Sequence, residues 1–176
     1  MERPLRLFVA LDLPDDVRDA LAAAGRDADG ERWRPVKPEA LHVTLAFLGS
    51  RPPGDVEKIA PVVLAETRAP QLALGDVLLL PPRRARVLTV EVRGPLAELQ
   101  ARVSAGLEAA GVYTPEARPF RAHVTIARLR PRVRPPRAAP LDLAPMAFRG
   151  PSVTLYVSRL HPSGATYEPL VKAALT

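Results

Sequence analysis

The sequence predicts an α+β fold of two pseudo-symmetric lobes, each an antiparallel-dominated sheet with outer helices, around a central cleft. Three observations predict it. Short runs of period-two alternation recur along the chain, separated by stretches of helical periodicity. The phrase HVTLAFLG at 42–49 returns as HVTIARLR at 123–130, with five of the eight positions identical. No long linker divides the two halves, so residues 1–176 are expected to form a single bilobal domain.

The elements follow in order. RLFVALDL (6–13) alternates, with Leu7, Val9, Leu11 and Leu13 on one face and Arg6, Phe8, Ala10 and Asp12 on the other, the pattern of a half-buried strand. Val17, Leu21 and Ala24 then keep helical spacing over 15–28, behind the acidic start Asp15-Asp16. RPVKPEA is a turn-rich lead-in to the first histidine strand, which Gly49 and PPG close. A helix is expected over about 55–67, then strands in QLALGDVLLL and ARVLTVEV on either side of a basic turn, PPRRAR. Residues 95–110 make the clearest helix, with Pro95 suiting the first turn and Leu96, Leu99, Val103 and Leu107 in one stripe. The second histidine strand, a proline-rich basic loop (131–140) and strands near 142–148, 152–160 and 166–172 complete the chain.

Composition narrows the chemistry. There are no cysteines, which excludes a disulfide framework, thiol catalysis and thiolate-bound zinc. The apolar run near the N-terminus is short and broken by Asp12, so neither a signal peptide nor a membrane span is expected, and a soluble cytoplasmic monomer is. Net charge is +6, and only three of the 25 basic residues are lysine. Between Glu116 and Asp142 there is no acid but there are seven arginines: Arg118, Arg121, Arg128, Arg130, Arg132, Arg134 and Arg137. Arg83, Arg84 and Arg86 form a second knot. The guanidinium forks onto two oxygens at once, so clustered arginine favours a polyanionic partner.

Two of the three histidines sit in the repeated phrase. Residues i and i+2 of a strand share a face, so His42 joins Thr44 and His123 joins Thr125. Brought together, two imidazoles and two hydroxyls suit a phosphodiester. One histidine takes a proton from water, the other protonates the departing oxygen, and the hydroxyls donate to the non-bridging oxygens. An unperturbed pKa of about 6.5 makes both protonation states accessible. No metal-ligand spacing accompanies the histidines, since Asp12 and Asp142 are distant, and no nucleophile elbow or phosphate-cradling glycine loop is present. Five residues beyond the histidines the repeat diverges to Phe47 and Arg128, a ring to stack a base and a fork to grip phosphate. The offset is odd, so both residues reach the histidine face only if a bulge, strong twist or strand end intervenes near 46–47 and 127–128. His161, in RLHPSG, reads as an ordinary surface-turn residue.

The paired H-x-T phrases resemble the signature of the 2H phosphoesterase superfamily, and the resemblance covers most of the chain. RLFVALDLP is similar to its opening strand, WRPVKPEALHVTLAFLG and PFRAHVTIARL to its two motifs, and VTLYVSRLHPSGATYEPL to its final strand pair. Within the superfamily the chain most resembles the bacterial RNA 2′,3′-cyclic phosphodiesterases, also described as 2′-5′ RNA ligase-like proteins. The resemblance implies a bilobal fold, no cofactor and no metal, and opening of a terminal RNA 2′,3′-cyclic phosphate to a 2′-phosphate. It implies His42 as proton donor, His123 as proton acceptor, Thr44, Thr125 and Arg128 as phosphate contacts and Phe47 as a base-stacking residue. The alternative is an RNA-end-binding module, or a weak reversible 2′-5′ ligase, using the same cleft.

Overall fold

A computed structural model describes residues 2–176. In chain order the elements are β1 (Leu5–Leu11), α1 (Asp15–Asp27), β2 (Trp33–Pro35), β3 (Val43–Arg51), α2 (Asp55–Leu64), β4 (Gln71–Leu80), β5 (Val87–Arg93), α3 (Leu96–Ala109), β6 (His123–Leu129), β7 (Ala147–Arg149), β8 (Ser152–His161) and β9 (Gly164–Ala174). The fold is α+β, as the sequence predicts. The strands run β7-β4-β5-β6-β3-β1-β8-β9 in one antiparallel sheet, with β2 added beside β6. Its centre is a seam. β3 and β6 meet there through one residue pair, Val43 opposite Val124. Four strands lie to each side of that pair, which gives the two lobes and their near-twofold relation.

The lobes do not follow the halves of the chain. β8 and β9 join β1 and β3, while β4 to β7, with β2, build the other lobe. The reason lies in β1. Residues Leu7–Leu11 are all buried, and Phe8 and Ala10 are as covered as the leucine face expected to be the only core side. A strand buried on both faces cannot serve as a sheet edge. β3 covers one edge, and β8 supplies the other. Helix α1 crosses over to pack behind β6 and β2, while α2 and α3 lie behind β8, β9 and β3. Of the strand expected near 142–148 only Ala147–Arg149 pairs, because Pro145 has no N–H to give the ladder. β2 is a short strand that the turn-rich lead-in conceals.

Both histidine strands carry a bulge at the same place in the repeat. On β3, Thr44 pairs with Ala10 and Ala46 with Val9, leaving Leu45 as the extra residue. On β6, Thr125 pairs with Thr89 and Ala127 with Leu88, leaving Ile126 extra. Two consecutive inward residues follow in each strand, and the alternation reverses beyond them. Bulged carbonyls leave the ladder and need other donors. Gln100 Nε2 of α3 reaches Leu45 O at 3.3 Å, and the Val36 backbone N–H reaches Ile126 O at 2.9 Å. Helix α1 comes so close behind the second bulge that a Cβ on Gly25 would lie 2.6 Å from Ile126 O.

Gly25→Ala tests that contact. Alanine is about 1 kcal/mol better than glycine inside a helix. Here the added methyl group meets backbone that cannot rotate away, so a net loss of about 1–3 kcal/mol is expected, seen as a lower urea midpoint. A raised midpoint would show that α1 is free to shift.

Candidate active site

A cavity of about 550 Å³ opens over the seam, lined by His42, Thr44, Phe47, His123, Thr125 and Arg128 among others. The bulges explain the last two residues of the odd offset. Thr44 and Phe47 lie opposite Ala10 and Phe8 of β1, which share a face. Likewise Thr125 and Arg128 lie opposite Thr89 and Val87 of β5. One inserted residue between Thr44 and Phe47, and one between Thr125 and Arg128, therefore turn an odd spacing into a common face, one position earlier than the sequence requirement placed it.

The histidines are held alike. His42 follows the 3-10 turn Pro38–Ala40 immediately before β3, and His123 opens β6. Nδ1–H of His42 donates to Ala40 O at 2.8 Å, and Nδ1–H of His123 donates to Arg121 O at 2.7 Å. A carbonyl only accepts, so each ring keeps its hydrogen on Nδ1 and leaves Nε2 for proton exchange. Nε2 of His42 lies 2.9 Å from Thr44 Oγ1, which donates to it while the ring is neutral. Phe8 lies under the ring, with centroids 4.9 Å apart, and Tyr167 meets it edge-on at 5.3 Å. Phe8 also stacks on Tyr156 at 5.4 Å. The Tyr156 hydroxyl donates to buried Asp12, as do Ser152 and Thr154, the last at 2.6 Å. Among the described residues no group of three or more His, Cys, Asp or Glu side chains is placed to hold a metal ion.

Residues 11–89 and 87–167 each match the family model described as LigT like Phosphoesterase. The chain belongs to this family. Each match contains one of the two H-x-T phrases, so the internal repeat and the family assignment coincide. The RNA 2′,3′-cyclic phosphodiesterase of Thermus thermophilus is 35% identical, over 97% of this chain and 90% of that protein. The protein of the same name from Escherichia coli is 30% identical, over 100% and 99%. Among solved structures, TT0787 of Thermus thermophilus superposes with a TM-score of 0.78 at 29% identity, covering 97% of both chains. Escherichia coli LigT complexed with 3′-AMP gives a TM-score of 0.78 at 28% identity, covering 98% and 99%. No helix among the described residues of this phosphoesterase is long and apolar enough to cross a membrane.

Several residues lining the phosphoesterase cavity carry no sequence signal of their own. Arg6 and Phe8 come from the face of β1 opposite its leucines, and Arg34 comes from the unforeseen β2. The Arg6 guanidinium sits 4.7 Å from the centroid of the Phe47 ring. His161 is more than a turn residue: it ends β8, lines the cavity and approaches Thr166 Oγ1 with Nε2 at 3.2 Å. The arginine strip contributes only Arg128 to the lining, and Arg130 donates instead to Gly30 O. No Asp or Glu lines the cavity. Tyr156 is pushed above the ordinary phenol range by burial and then by Asp12, so it remains a donor.

His42 titrates below its usual value of 6.5, chiefly because burial disfavours the imidazolium. The Ala40 carbonyl and Asp12 oppose this, while Arg128 and His123 add to it. A depressed folded-state pKa gives stability that is present above the unfolded value of about 6.5 and lost as pH falls through the folded one. The unfolded chain takes the proton first. Between about pH 7.5 and about pH 5, the parent protein should therefore lose more thermal stability than His42→Asn, measured by calorimetry at matched salt. Parallel curves would mean that the ring is as well solvated folded as unfolded.

Proposed function

We propose that this protein hydrolyses a terminal RNA 2′,3′-cyclic phosphate to a 2′-phosphomonoester by acid–base catalysis with its two histidines. One observation carries the reading: two imidazoles, each tied through Nδ1 to a carbonyl two residues back, border one acid-free cavity lined by two threonines and three arginines. The names of the relatives from Thermus thermophilus and Escherichia coli support the substrate class. In the proposed reaction the cyclic phosphate straddles the seam. Neutral His123 takes a proton from water at Nε2 as the water oxygen bonds to phosphorus. The bond from phosphorus to the 3′ oxygen breaks, and protonated His42 gives its Nε2 hydrogen to that oxygen. Thr44, Thr125 and Arg128 donate to the non-bridging oxygens, where charge collects. Protonation of His42 also removes the lone pair to which Thr44 was donating, freeing that hydroxyl for the phosphate. Phe47 stacks the terminal base, a contact worth about 1–3 kcal/mol.

The depressed His42 would by itself suit a base. Bound phosphate counteracts the depression, because a nearby negative charge favours the imidazolium. Activity that needs protonated His42 falls as pH rises through its pKa, so the alkaline limb of kcat/KM should lie below about 6.5 and that of kcat should lie higher.

A short RNA ending in a 2′,3′-cyclic phosphate, incubated in EDTA, should yield a 2′-monophosphate end. Tight binding without turnover would instead favour the end-binding module. His42→Ala and His123→Ala should each cost about 10²–10⁴-fold. On a nitrophenyl phosphodiester, whose leaving group needs no acid, His42→Ala should recover while His123→Ala stays impaired. Rescue of His123→Ala alone would reverse the two roles.

A further inference from the structure

Arg34 stands directly opposite Arg128 in the β2–β6 pair, and both residues are exposed and line the cavity. Residues opposed in this way share a face, and like charges so placed disfavour each other by about 0.2–1 kcal/mol. Elsewhere among the described residues seven arginines meet carboxylates, among them Arg93 with Glu91 and Asp76, Arg102 with Glu66, and Arg159 with Glu168. Neither Arg34 nor Arg128 joins any ion pair among the described residues. The unrelieved pair faces a cavity that contains no carboxylate.

β2 lies on the same edge of β6 as β3 does, and Arg34 lines the cavity between the lobes. It reaches the β8–β9 hairpin, where a Cβ built on Gly164 would lie 3.9 Å from Arg34 Nη2. Gly164 pairs with His161 across the two-residue loop Pro162-Ser163 and has φ of +116°, a conformation that disfavours any side chain there. Arg34 of one lobe and His161 of the other thus both line the hairpin end of the cavity. Tyr167, which touches the His42 ring, is three residues further along β9, roughly 10 Å of strand away. The hairpin end is thus offset along β9 from the Tyr167–His42 contact, while Arg34 remains a cross-strand neighbour of Arg128. The offset suits the next phosphate of an extended strand.

We propose that Arg34 and His161 form a second anion position, which takes the internucleotide phosphate on the 5′ side of the reacting nucleotide. The proposal rests on the function assigned above, and it makes the enzyme selective for RNA ends over cyclic mononucleotides.

Titration calorimetry tests it without turnover. Adenosine 3′-phosphate and the dinucleotide ApA 3′-phosphate would be bound to the parent protein, Arg34→Ala, His161→Ala and the double variant, with urea midpoints as a control for folding. The parent should bind the dinucleotide about tenfold more tightly, the scale of one charge-assisted hydrogen bond. In the double variant that advantage should fall below about threefold. An undiminished advantage overturns the proposal. Equal losses for both ligands overturn it too, because the residues would then serve the reacting phosphate. Adenosine 3′,5′-bisphosphate is the third arm: an advantage for this monoester but not for the dinucleotide would assign the position to free nucleotides and overturn the RNA reading. Failure of the parent to open any cyclic phosphate, with the dinucleotide advantage intact and dependent on both residues, would sink the proposed reaction while the second position stands.

Discussion

The extra residue in each histidine strand is the constraint on which the site depends. Without Leu45 and Ile126 as bulges, strict alternation would send Phe47 and Arg128 to the helix side of the sheet. Each bulge turns a carbonyl out of the ladder, and an orphaned carbonyl costs free energy when buried. The surrounding architecture answers that demand. Helix α3 brings Gln100 to one carbonyl, the segment after β2 brings Val36 to the other, and α1 lacks a side chain where it crosses the second bulge. Helix placement, the short β2 and the identity of residue 25 thus all follow from aiming two side chains.

Around this frame the charges are sorted. The cavity collects Arg6, Arg34 and Arg128 and no acid. The buried carboxylate close enough to influence His42, that of Asp12, is surrounded by three hydroxyl donors. A carboxylate so satisfied has little reason to recruit an arginine away from the cavity. Between Asp12 and His42 lie the stacked rings of Tyr156 and Phe8, which exclude water from one side of the imidazole. The two lobes therefore share their histidine geometry but differ in surroundings. Aromatic rings surround His42, whereas on the other strand Arg128 follows His123.

Much of this was legible in the repeated phrase, because a rare residue type in a repeated context survives any uncertainty about pairing. His42, Thr44, His123 and Thr125 needed only the two-residue period to be placed on common faces. Phe47 and Arg128 needed more: the period put them on the wrong face, and the residues that correct it, Leu45 and Ile126, are ordinary aliphatics with nothing to mark a bulge. Arg34 was hidden because WRP contains a proline and reads as a turn. Asp12 looked like the outward residue of a half-buried strand, since its partners arrive from β8, some 140 positions later. Non-local pairing is what a single sequence conceals most. For that reason the repeat suggested two lobes but not which strands would build each.

The interleaving of the lobes sets an order on the birth of the molecule. A chain emerging from the ribosome presents β1 and β3 early, but the edge of β1 stays open until β8 follows and β9 covers that in turn. The lobe of β2 and β4 to β7, with α1 behind it, is whole before β8 is made. Synthesis proceeds at about 5–20 residues per second, so β1 waits several seconds with apolar residues on both faces. During that wait it is the segment most in need of a chaperone, and the strand that closes the wait starts at Ser152, far along the chain from Leu11.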